Sequence, residues 1–264
     1  MRIDRYLQGT PSWVDLSTTD QDAAKAFYAG LFGWSYRDMP VDDTGERLYT
    51  TATVDGASVA GMYTQPPEEA QMGIPPHWNV YLTVDDADAT AVRAVEHGGS
   101  VLAEPFDVFD AGRMATIKDP TGAVVSLWQP RGSIGAQIRA EHGALCWAEV
   151  LTADPAAAAG FLAALLDVRT ETAPMPDGVQ YTVVMAGDTP VAGVMKMPEH
   201  LLEMRHPAHW STYMQVDDTD AAVAAVEAGG GSVLMPATDI ATVGRIAVIA
   251  DPQRAALGLM TPEQ

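Results

Sequence analysis

Hydrophobic and polar residues alternate along residues 12–18, with the sequence SWVDLST, at the two-residue period of a β-strand. Asp20 follows at the position of a helix N-cap, where a short carboxylate accepts hydrogen bonds from free backbone N–H groups. Apolar residues then recur at helical spacing as far as Leu31, and Gly33 is a typical residue for the end of a helix. This segment predicts a strand followed by a helix that ends near residue 32.

The same kinds of element continue and then start again. Strands are predicted at about 46–54 and 57–63, with the turn Asp55-Gly56 between them. A second strand, helix and set of three strands follow, with predicted limits of 77–84, 86–97, 100–109, 112–118 and 123–129. We interpret both runs as modules of the form βαβββ.

The second half of the chain repeats the first. The segment PHWNVYLTVDDADATAVRAVEHGGSVL matches AHWSTYMQVDDTDAAVAAVEAGGGSVL, so that His77 corresponds to His209, 132 positions later. The opening segment is displaced slightly more, because Trp13 and Trp147 are 134 positions apart. A duplication of this kind predicts four βαβββ modules in one chain.

Three short motifs recur in both halves and carry a family resemblance. They are V-D-D-x-D-A, G-G-S-V, and a G-R pair that five residues separate from a D-P pair. With the βαβββ order they resemble the vicinal-oxygen-chelate superfamily of glyoxalases, bleomycin-resistance proteins and extradiol dioxygenases. The chain is most similar to tandem glyoxalase-like proteins of actinobacteria, often called hydroxylases, and to a mycobacterial antigen of like size. TPSWVDLSTTDQDAAKAFYAGLFGW and DAGRMATIKDPTGAVVSLWQ are the most telling stretches.

The resemblance implies an α+β fold in which four βαβββ modules pair into two curved-sheet, glyoxalase-like domains. We place the first domain at residues 1–131, a linker at 132–142 and the second domain at 143–264. The modules of the first domain span about 9–65 and 75–131, and those of the second span about 143–198 and 207–264.

In this superfamily the concave face of each curved sheet holds a metal ion, and the resemblance implies ligands on the first strand of each module and on the last strand. Those places fall on Trp13, Asn79 and Ser126 in the first half, and on Trp147, Ser211 and Gly258 in the second. None is a histidine or glutamate, and these side chains offer a divalent ion poor donors or none. We therefore predict a site without metal or other cofactor. The alternative is a divalent metal at a non-standard site.

Alternation along the strands places other polar side chains on the concave face. Asp15, His77, Asn79 and Tyr81 are expected there in the first half. Their second-half equivalents are Glu149, His209, Ser211 and Tyr213. Asp15 and His77 are the candidate catalytic residues, as an acid–base pair or as a relocated metal site. Alternatively, a histidine at the start of its strand lies at the rim and bonds to a loop.

The last strand of the first half adds Ser126 and Trp128 to the concave face. Together with Trp13 and Tyr81 they form an aromatic wall with a few neutral hydrogen-bonding groups, which suits a flat, largely apolar ligand that carries oxygens. The second half has smaller residues at the equivalent places, so we assign the functional site to the first. The alternative is that the tryptophans fill the concave face as core.

Arg113 and Arg245 each follow a glycine at the start of a strand. Their repetition favours a structural ion pair, with Asp107 or Asp110 in the first half and Asp239 in the second. An arginine that binds an anionic ligand is the alternative.

Charge and composition exclude several partners. The formal net charge of −20 argues against nucleic acid and anionic membranes as partners. One cysteine excludes an intrachain disulfide and a thiolate zinc site. No secretory signal or long apolar run is present, so we expect a cytoplasmic protein. We also expect it to be a monomer or a homodimer. The sequence also lacks the glycine-rich motifs of dinucleotide and NTP binding.

Three functions remain open. The first is a metal-independent protein that binds a small organic molecule, or an enzyme of secondary metabolism that acts on one. The second is a metal-dependent glyoxalase-type lyase or ring-cleaving dioxygenase with relocated ligands. The third is a structural or interaction protein whose concave faces are filled by their own side chains. The sequence leaves open whether the protein is an enzyme.

Overall fold

Each half of the chain contains eight strands and three helices in the described residues, which in this computed structural model are 1–41, 44–45, 47–175 and 178–263. In the first half the elements are β1 (Pro11–Thr18), α1 (Gln21–Phe32), β2 (Ser35–Pro40), β3 (Leu48–Val54), β4 (Ala57–Thr64), α2 (Pro67–Gln71), β5 (His77–Thr83), α3 (Ala87–Glu96), β6 (Ser100–Val108), β7 (Gly112–Lys118) and β8 (Val124–Pro130).

The second half repeats this order. Its elements are β9 (Leu145–Thr152), α4 (Pro155–Leu166), β10 (Arg169–Pro174), β11 (Gln180–Ala186), β12 (Thr189–Lys196), α5 (Glu199–Glu203), β13 (His209–Gln215), α6 (Thr219–Ala228), β14 (Ser232–Ile240), β15 (Gly244–Ala250) and β16 (Ala256–Pro262).

The strands form two eight-stranded curved sheets of the same topology. The order is β2-β3-β4-β1-β5-β8-β7-β6 in the first and β10-β11-β12-β9-β13-β16-β15-β14 in the second. In each sheet two βαβββ modules meet through their first strands, which pair antiparallel at the centre. The predicted fold of four paired modules is confirmed. We call the helix-free face of the first sheet the first cup, and that of the second sheet the second cup.

Four aspartates begin the four long helices. The side chain of Asp20 accepts a hydrogen bond of 2.9 Å from the backbone N–H of Ala23, and Asp86, Asp154 and Asp218 make the same contact three residues ahead. The predicted cap at Asp20 is confirmed. Gly33 closes α1 with φ 68°, in the left-handed region that favours glycine, as its position predicted.

The other face of each sheet forms the core. Val14 and Leu16 of β1 are fully buried on the helix side, as their alternation predicted. The apolar side chains of both sheets and the long helices belong to one cluster that runs through both halves. Helix α1 packs against α6, and α3 packs against α4, so the two halves share their core.

The structure contains elements that the sequence pattern did not locate. Strand β2 is an edge strand that is almost wholly exposed, so it has no alternation of buried residues. Helices α2 and α5 have five residues each and bury none, so they carry no apolar period. Among the described helices none combines the length and the apolar content needed to cross a membrane.

The segment between the sheets is fixed to both of them. The N–H of Ala136 donates to the carbonyl of Ser12 at 2.8 Å, and the N–H of Gly143 donates to the carbonyl of Gln215 at 2.8 Å. The limits proposed for the domains and the linker stay a prediction. Gln264, the proposed last residue of the second domain, lies outside the described residues, as does Glu46 at the start of the strand predicted at 46–54.

Candidate functional site

The pairing of β1 with β5 assembles the centre of the first cup. Their antiparallel register sets Asp15 opposite Asn79 and Trp13 opposite Tyr81. Strand β8 runs beside β5 and sets Ser126 opposite Tyr81. These side chains come together because alternation directs them to the face that the helices leave free. The structure thus brings together five of the predicted site residues.

Asp15 is the centre of this group and is 1% exposed. Its Oδ2 accepts hydrogen bonds from the hydroxyls of Tyr49 at 3.0 Å and Tyr81 at 2.8 Å. Its Oδ1 accepts one from the amide nitrogen of Asn79 at 3.1 Å. A buried carboxylate is stable only with such partners, and here both oxygens are engaged.

Two further tyrosines extend the network, and the sequence analysis missed both. Nε1 of Trp13 donates to the hydroxyl of Tyr49 at 2.7 Å, and Asn79 donates to the hydroxyl of Tyr63 at 3.0 Å. The two tyrosine rings stack with centroids 6.4 Å apart. The repeat was a signal that could have found Tyr49, because Tyr181 stands 132 positions later, whereas the place equivalent to Tyr63 is Met195.

A glycine makes room for Tyr49. A Cβ atom at Gly61 would lie 2.0 Å from the Tyr49 hydroxyl and 2.6 Å from its ring carbon, far inside contact distance. The second half has the same arrangement, where a Cβ at Gly193 would lie 1.9 Å from the hydroxyl of Tyr181. This close approach is a physical reason for a glycine at both places.

Burial dominates the titration of these groups. It raises the pKa of Asp15, although the hydrogen bonds from Tyr81, Asn79 and Tyr49 act in the opposite direction. Burial and the charge of Asp15 raise the pKa of Tyr49 and Tyr81 well above the ordinary value for tyrosine. Both hydroxyls therefore stay protonated and act as hydrogen-bond donors to Asp15.

The predicted histidines form hydrogen bonds with loop carbonyls and not with the buried carboxylates. Nδ1 of His77 donates to the carbonyl of Pro75 at 2.9 Å, and Nδ1 of His209 donates to the carbonyl of Pro207 at 3.0 Å. A carbonyl can only accept, so in the neutral ring the proton is on Nδ1 and Nε2 is an acceptor. Both histidines therefore bond to a loop, as the alternative to a catalytic role stated.

The remaining wall of the first cup is largely buried. Trp128 is 8% exposed, its Nε1 donates to the carbonyl of Ser133 at 3.0 Å, and its ring lies edge-on to Tyr81. The hydroxyls of Ser126 and Thr116 share one hydrogen bond of 3.1 Å. Trp128 therefore fills space, as the alternative for the tryptophans stated, whereas Trp13 is partly exposed.

The second cup has a simpler network around Glu149. The hydroxyls of Tyr181 and Tyr213 donate to it at 2.6 and 2.7 Å, and Trp147 donates to Tyr181 at 2.8 Å. Gly258 replaces the serine of the first cup, and a Cβ there would lie 2.1 Å from the ring of Tyr213. Ser211 stands at the place of Asn79, and Met195 at that of Tyr63.

The two arginines lie on the helix side of their sheets, outside the cups. Arg113 pairs with Asp88 of α3 at 2.6 Å and with Asp107 at 2.9 Å. Arg245 pairs with Asp220 of α6 at 2.6 Å and with Asp239 at 2.9 Å. The expected ion pairs exist, but the alternative partner Asp110 is wrong, and the helix aspartates were missed. Because both guanidinium groups are paired with aspartates, their positive charges are already neutralised and are not offered to an anionic ligand.

The side chains at the implied metal positions do not fit a divalent cation. Trp13 and Asn79 present N–H groups that donate within the network, and Ser126 bonds to Thr116. Both oxygens of Asp15, the carboxylate at the centre of this group, accept from protein donors. Within the described ranges, no three His, Cys, Asp or Glu side chains form a group that could hold a metal.

One recess of the protein does not include Asp15 in its lining. It has a volume of about 590 Å³ and opens between Arg37, Ser58 and residues 132–137. The base of the first cup is closed by its own tyrosines, and its partly exposed surface is formed by Trp13, Tyr49, Tyr63 and Asn79. A ligand of the first cup would therefore contact an aromatic surface.

The fold and the paired sites define a tandem protein of the glyoxalase type. The chain belongs to the Glyoxalase/Bleomycin resistance protein/Dioxygenase superfamily, whose family model matches residues 10–127 and 144–258. The resemblance stated from the motifs is thereby confirmed.

Two relatives match over nearly their whole length. The chain is 46% identical over 257 residues to the Mycobacterium tuberculosis protein named "Putative glyoxylase CFP32", covering 97% of this chain and 96% of that protein. It is 36% identical over 268 residues to "Anthracycline biosynthesis protein DnrV" of Streptomyces peucetius, covering 98% and 95%.

Solved structures share the fold at low identity. The Mn(II)-bound glyoxalase from Novosphingobium aromaticivorans matches with a TM-score of 0.65 and 12% identity, over 96% of this chain and 82% of that chain. The 2,3-dioxygenase LapB from Pseudomonas sp. KL28 matches with a TM-score of 0.65 and 13% identity, over 98% and 94%. At such identities the likeness concerns the fold alone.

Proposed function

We propose that this protein binds a flat, largely apolar organic molecule that carries oxygens, on the first cup and without a metal ion. It acts either as a sequestering protein or as an enzyme of secondary metabolism. Location in the cytoplasm and a monomeric or homodimeric state remain predictions that accompany this proposal.

One observation carries the proposal. The places where the superfamily would hold a metal are occupied by Trp13, Asn79 and Ser126, and these side chains bond to protein partners. Both oxygens of the buried Asp15 beside them already accept hydrogen bonds from the protein. The partly exposed rings of Trp13, Tyr49 and Tyr63 offer apolar area with polar edges, which suits an aromatic ligand. The relative from Streptomyces peucetius, named for anthracycline biosynthesis, supports this class because anthracyclines are flat, oxygenated polycycles.

If the protein is an enzyme, the roles of its residues follow from their contacts. Both oxygens of Asp15 are occupied, so Asp15 positions Asn79, Tyr49 and Tyr81 and does not itself take a proton from a ligand. Nδ1 of His77 bonds to Pro75, and none of the described residues forms a hydrogen bond with its Nε2, so His77 is the candidate proton acceptor. This assigns the two candidate catalytic residues to different roles.

Elemental analysis by mass spectrometry separates this proposal from a metal-dependent enzyme. The protein is incubated with Zn, Ni, Mn and Fe(II) and then desalted. Less than about a tenth of an equivalent of every metal supports the proposal, because a working catalytic site normally keeps its ion. Near one equivalent that is lost in Asp15→Ala or His77→Ala overturns it in favour of relocated ligands.

Calorimetric titration separates the proposal from a structural role. The probe is 2-(hydroxymethyl)anthraquinone, a commercial flat quinone. We expect one equivalent to bind, and Trp13→Ala to weaken binding by about tenfold or more through loss of an aromatic contact. Trp147→Ala, the matched change in the second cup, is expected to leave binding unaltered. The absence of binding to the native protein would favour a structural or interaction role.

A further inference from the structure

The hydrogen bonds of the first cup have a defined direction. Tyr49 accepts from Trp13 and donates to Asp15, and Tyr81 also donates to Asp15. Both protons of the Asn79 amide are used, one on Asp15 and one on Tyr63. These donors have no capacity left for a ligand.

Tyr63 is the end of this network. Its hydroxyl oxygen accepts from Asn79, and the hydroxyl of Ser17 is a second hydrogen-bond partner whose own proton is donated to Glu69. Among the described residues no carbonyl or carboxylate accepts a hydrogen bond from Tyr63. The side chain is partly exposed on the first cup. Tyr63 therefore combines an oxygen fixed by Asn79 with a proton that no carbonyl or carboxylate of the protein accepts.

The charges around Tyr63 limit what it can bind. Burial, followed by the charges of Asp15 and Glu69, raises the pKa of Tyr63. Hydrogen bonds with Ser17 and Asn79 lower this pKa but have the smaller effect, so the hydroxyl stays protonated. Glu69 of α2 is held beside the first cup by Ser17, whose hydroxyl donates to Oε2 at 3.0 Å. Because two carboxylates flank the hydroxyl, a ligand carboxylate or phosphate would be repelled, whereas a neutral carbonyl oxygen would not.

We infer that Tyr63, held by Asn79 and through it by Asp15, is the specificity-determining residue that donates a hydrogen bond to a neutral carbonyl oxygen of the ligand. The ligand class is thereby narrowed to flat quinones and aryl ketones. This inference rests on the proposed function, since it concerns the same surface.

The second half of the chain supplies a natural comparison. Met195 and Ser211 stand at the places of Tyr63 and Asn79, so the second cup has the buried carboxylate without the outward donor. Glu149 binds only its two tyrosines among the described residues. Carbonyl recognition is therefore a property of the first cup. The substitution Tyr63→Met gives the first cup the residue that the second cup has at this place.

The test compares two probes with the same flat three-ring skeleton and the same hydroxymethyl group, of which 2-(hydroxymethyl)anthraquinone carries two carbonyl groups and 2-(hydroxymethyl)anthracene carries none. Titration calorimetry gives the dissociation constant of each for the native protein and for Tyr63→Phe, which removes the hydroxyl and keeps the ring. We expect Tyr63→Phe to weaken quinone binding by about 3- to 10-fold and to leave anthracene binding unchanged. Tyr63→Met should also abolish the preference for the quinone.

Tyr36→Phe is the matched control, because its hydroxyl donates to the carbonyl of Lys25 on the helix side and not into the first cup. It should bind both probes like the native protein. If Tyr63→Phe weakens both probes equally, or neither, the inference is overturned while the proposed function stands. If the native protein binds neither probe, the proposed function is overturned as well. Thermal unfolding of each variant establishes that it is folded.

Discussion

The hydroxyl of Tyr28 donates a buried hydrogen bond of 3.1 Å to Oδ2 of Asp251, 223 residues further along the chain. The same hydroxyl accepts from Nε1 of Trp78 at 3.3 Å. Tyr28 lies on α1 of the first half, whereas Asp251 begins the turn before the last strand of the second. The two halves are therefore joined by a polar contact inside their shared core.

Tyr28→Phe should lower the free energy of unfolding by about 1–3 kcal/mol, because it leaves a buried carboxylate oxygen and a buried indole N–H with one partner fewer. Urea unfolding of the native protein and the variant measures this difference. In Tyr36→Phe the lost hydroxyl is only partly buried and water can replace it, so the loss should be smaller. Equal losses in the two variants would contradict the role given to the buried contact.

Gly61→Ala should destabilise the protein by about 1–3 kcal/mol, since its new methyl group would displace Tyr49 from Asp15 and Trp13. Gly30→Ala is the control, because Gly30 lies in α1 and a Cβ atom there would meet only open space. In a helix that change should stabilise by about 0.5–1 kcal/mol. Thermal unfolding measures the stability of both variants. If Gly61→Ala were as stable as the native protein, Tyr49 would be able to move without loss of stability.

The pH dependence of stability should report the burial of Asp15. Burial raises its folded pKa above the ordinary value of about 3.9, so the folded chain binds this proton more tightly than the unfolded chain. Its contribution to stability is complete below about pH 4 and is lost as the pH rises through the folded pKa. The unfolding free energy of the native protein minus that of Asp15→Asn should fall across this range. A difference that rises with pH would mean that the hydrogen bonds outweigh burial.

Arg113→Gln should leave ligand binding unchanged, because its ion pairs with Asp88 and Asp107 hold it on the helix side of the first sheet. Its effect on stability should be small and should shrink as salt is added, since the pair is exposed. Calorimetric titration with 2-(hydroxymethyl)anthraquinone and urea unfolding at low and high salt measure the two effects. Weaker binding by this variant would mean that Arg113 contributes to the ligand-binding site.

Local patterns determined much of this protein. The two-residue alternation in β1 and β5 assigned Val14 and Leu16 to the core and Asp15 and Asn79 to the opposite face, because a strand has only two faces. The N-cap Asp20 and the terminal Gly33 set the ends of α1 through local backbone geometry. The repeat and the short motifs together were sufficient to identify the family.

The tertiary structure alone decided what surrounds Asp15. Tyr49 and Tyr63 lie 34 and 48 positions further along the chain, and only the pairing of four strands brings their hydroxyls to one network. Edge strand β2 likewise exists through its pairing with β3, since its own residues are exposed. Hydrogen bonds between distant strands depend on register, which the alternation of a single strand does not specify.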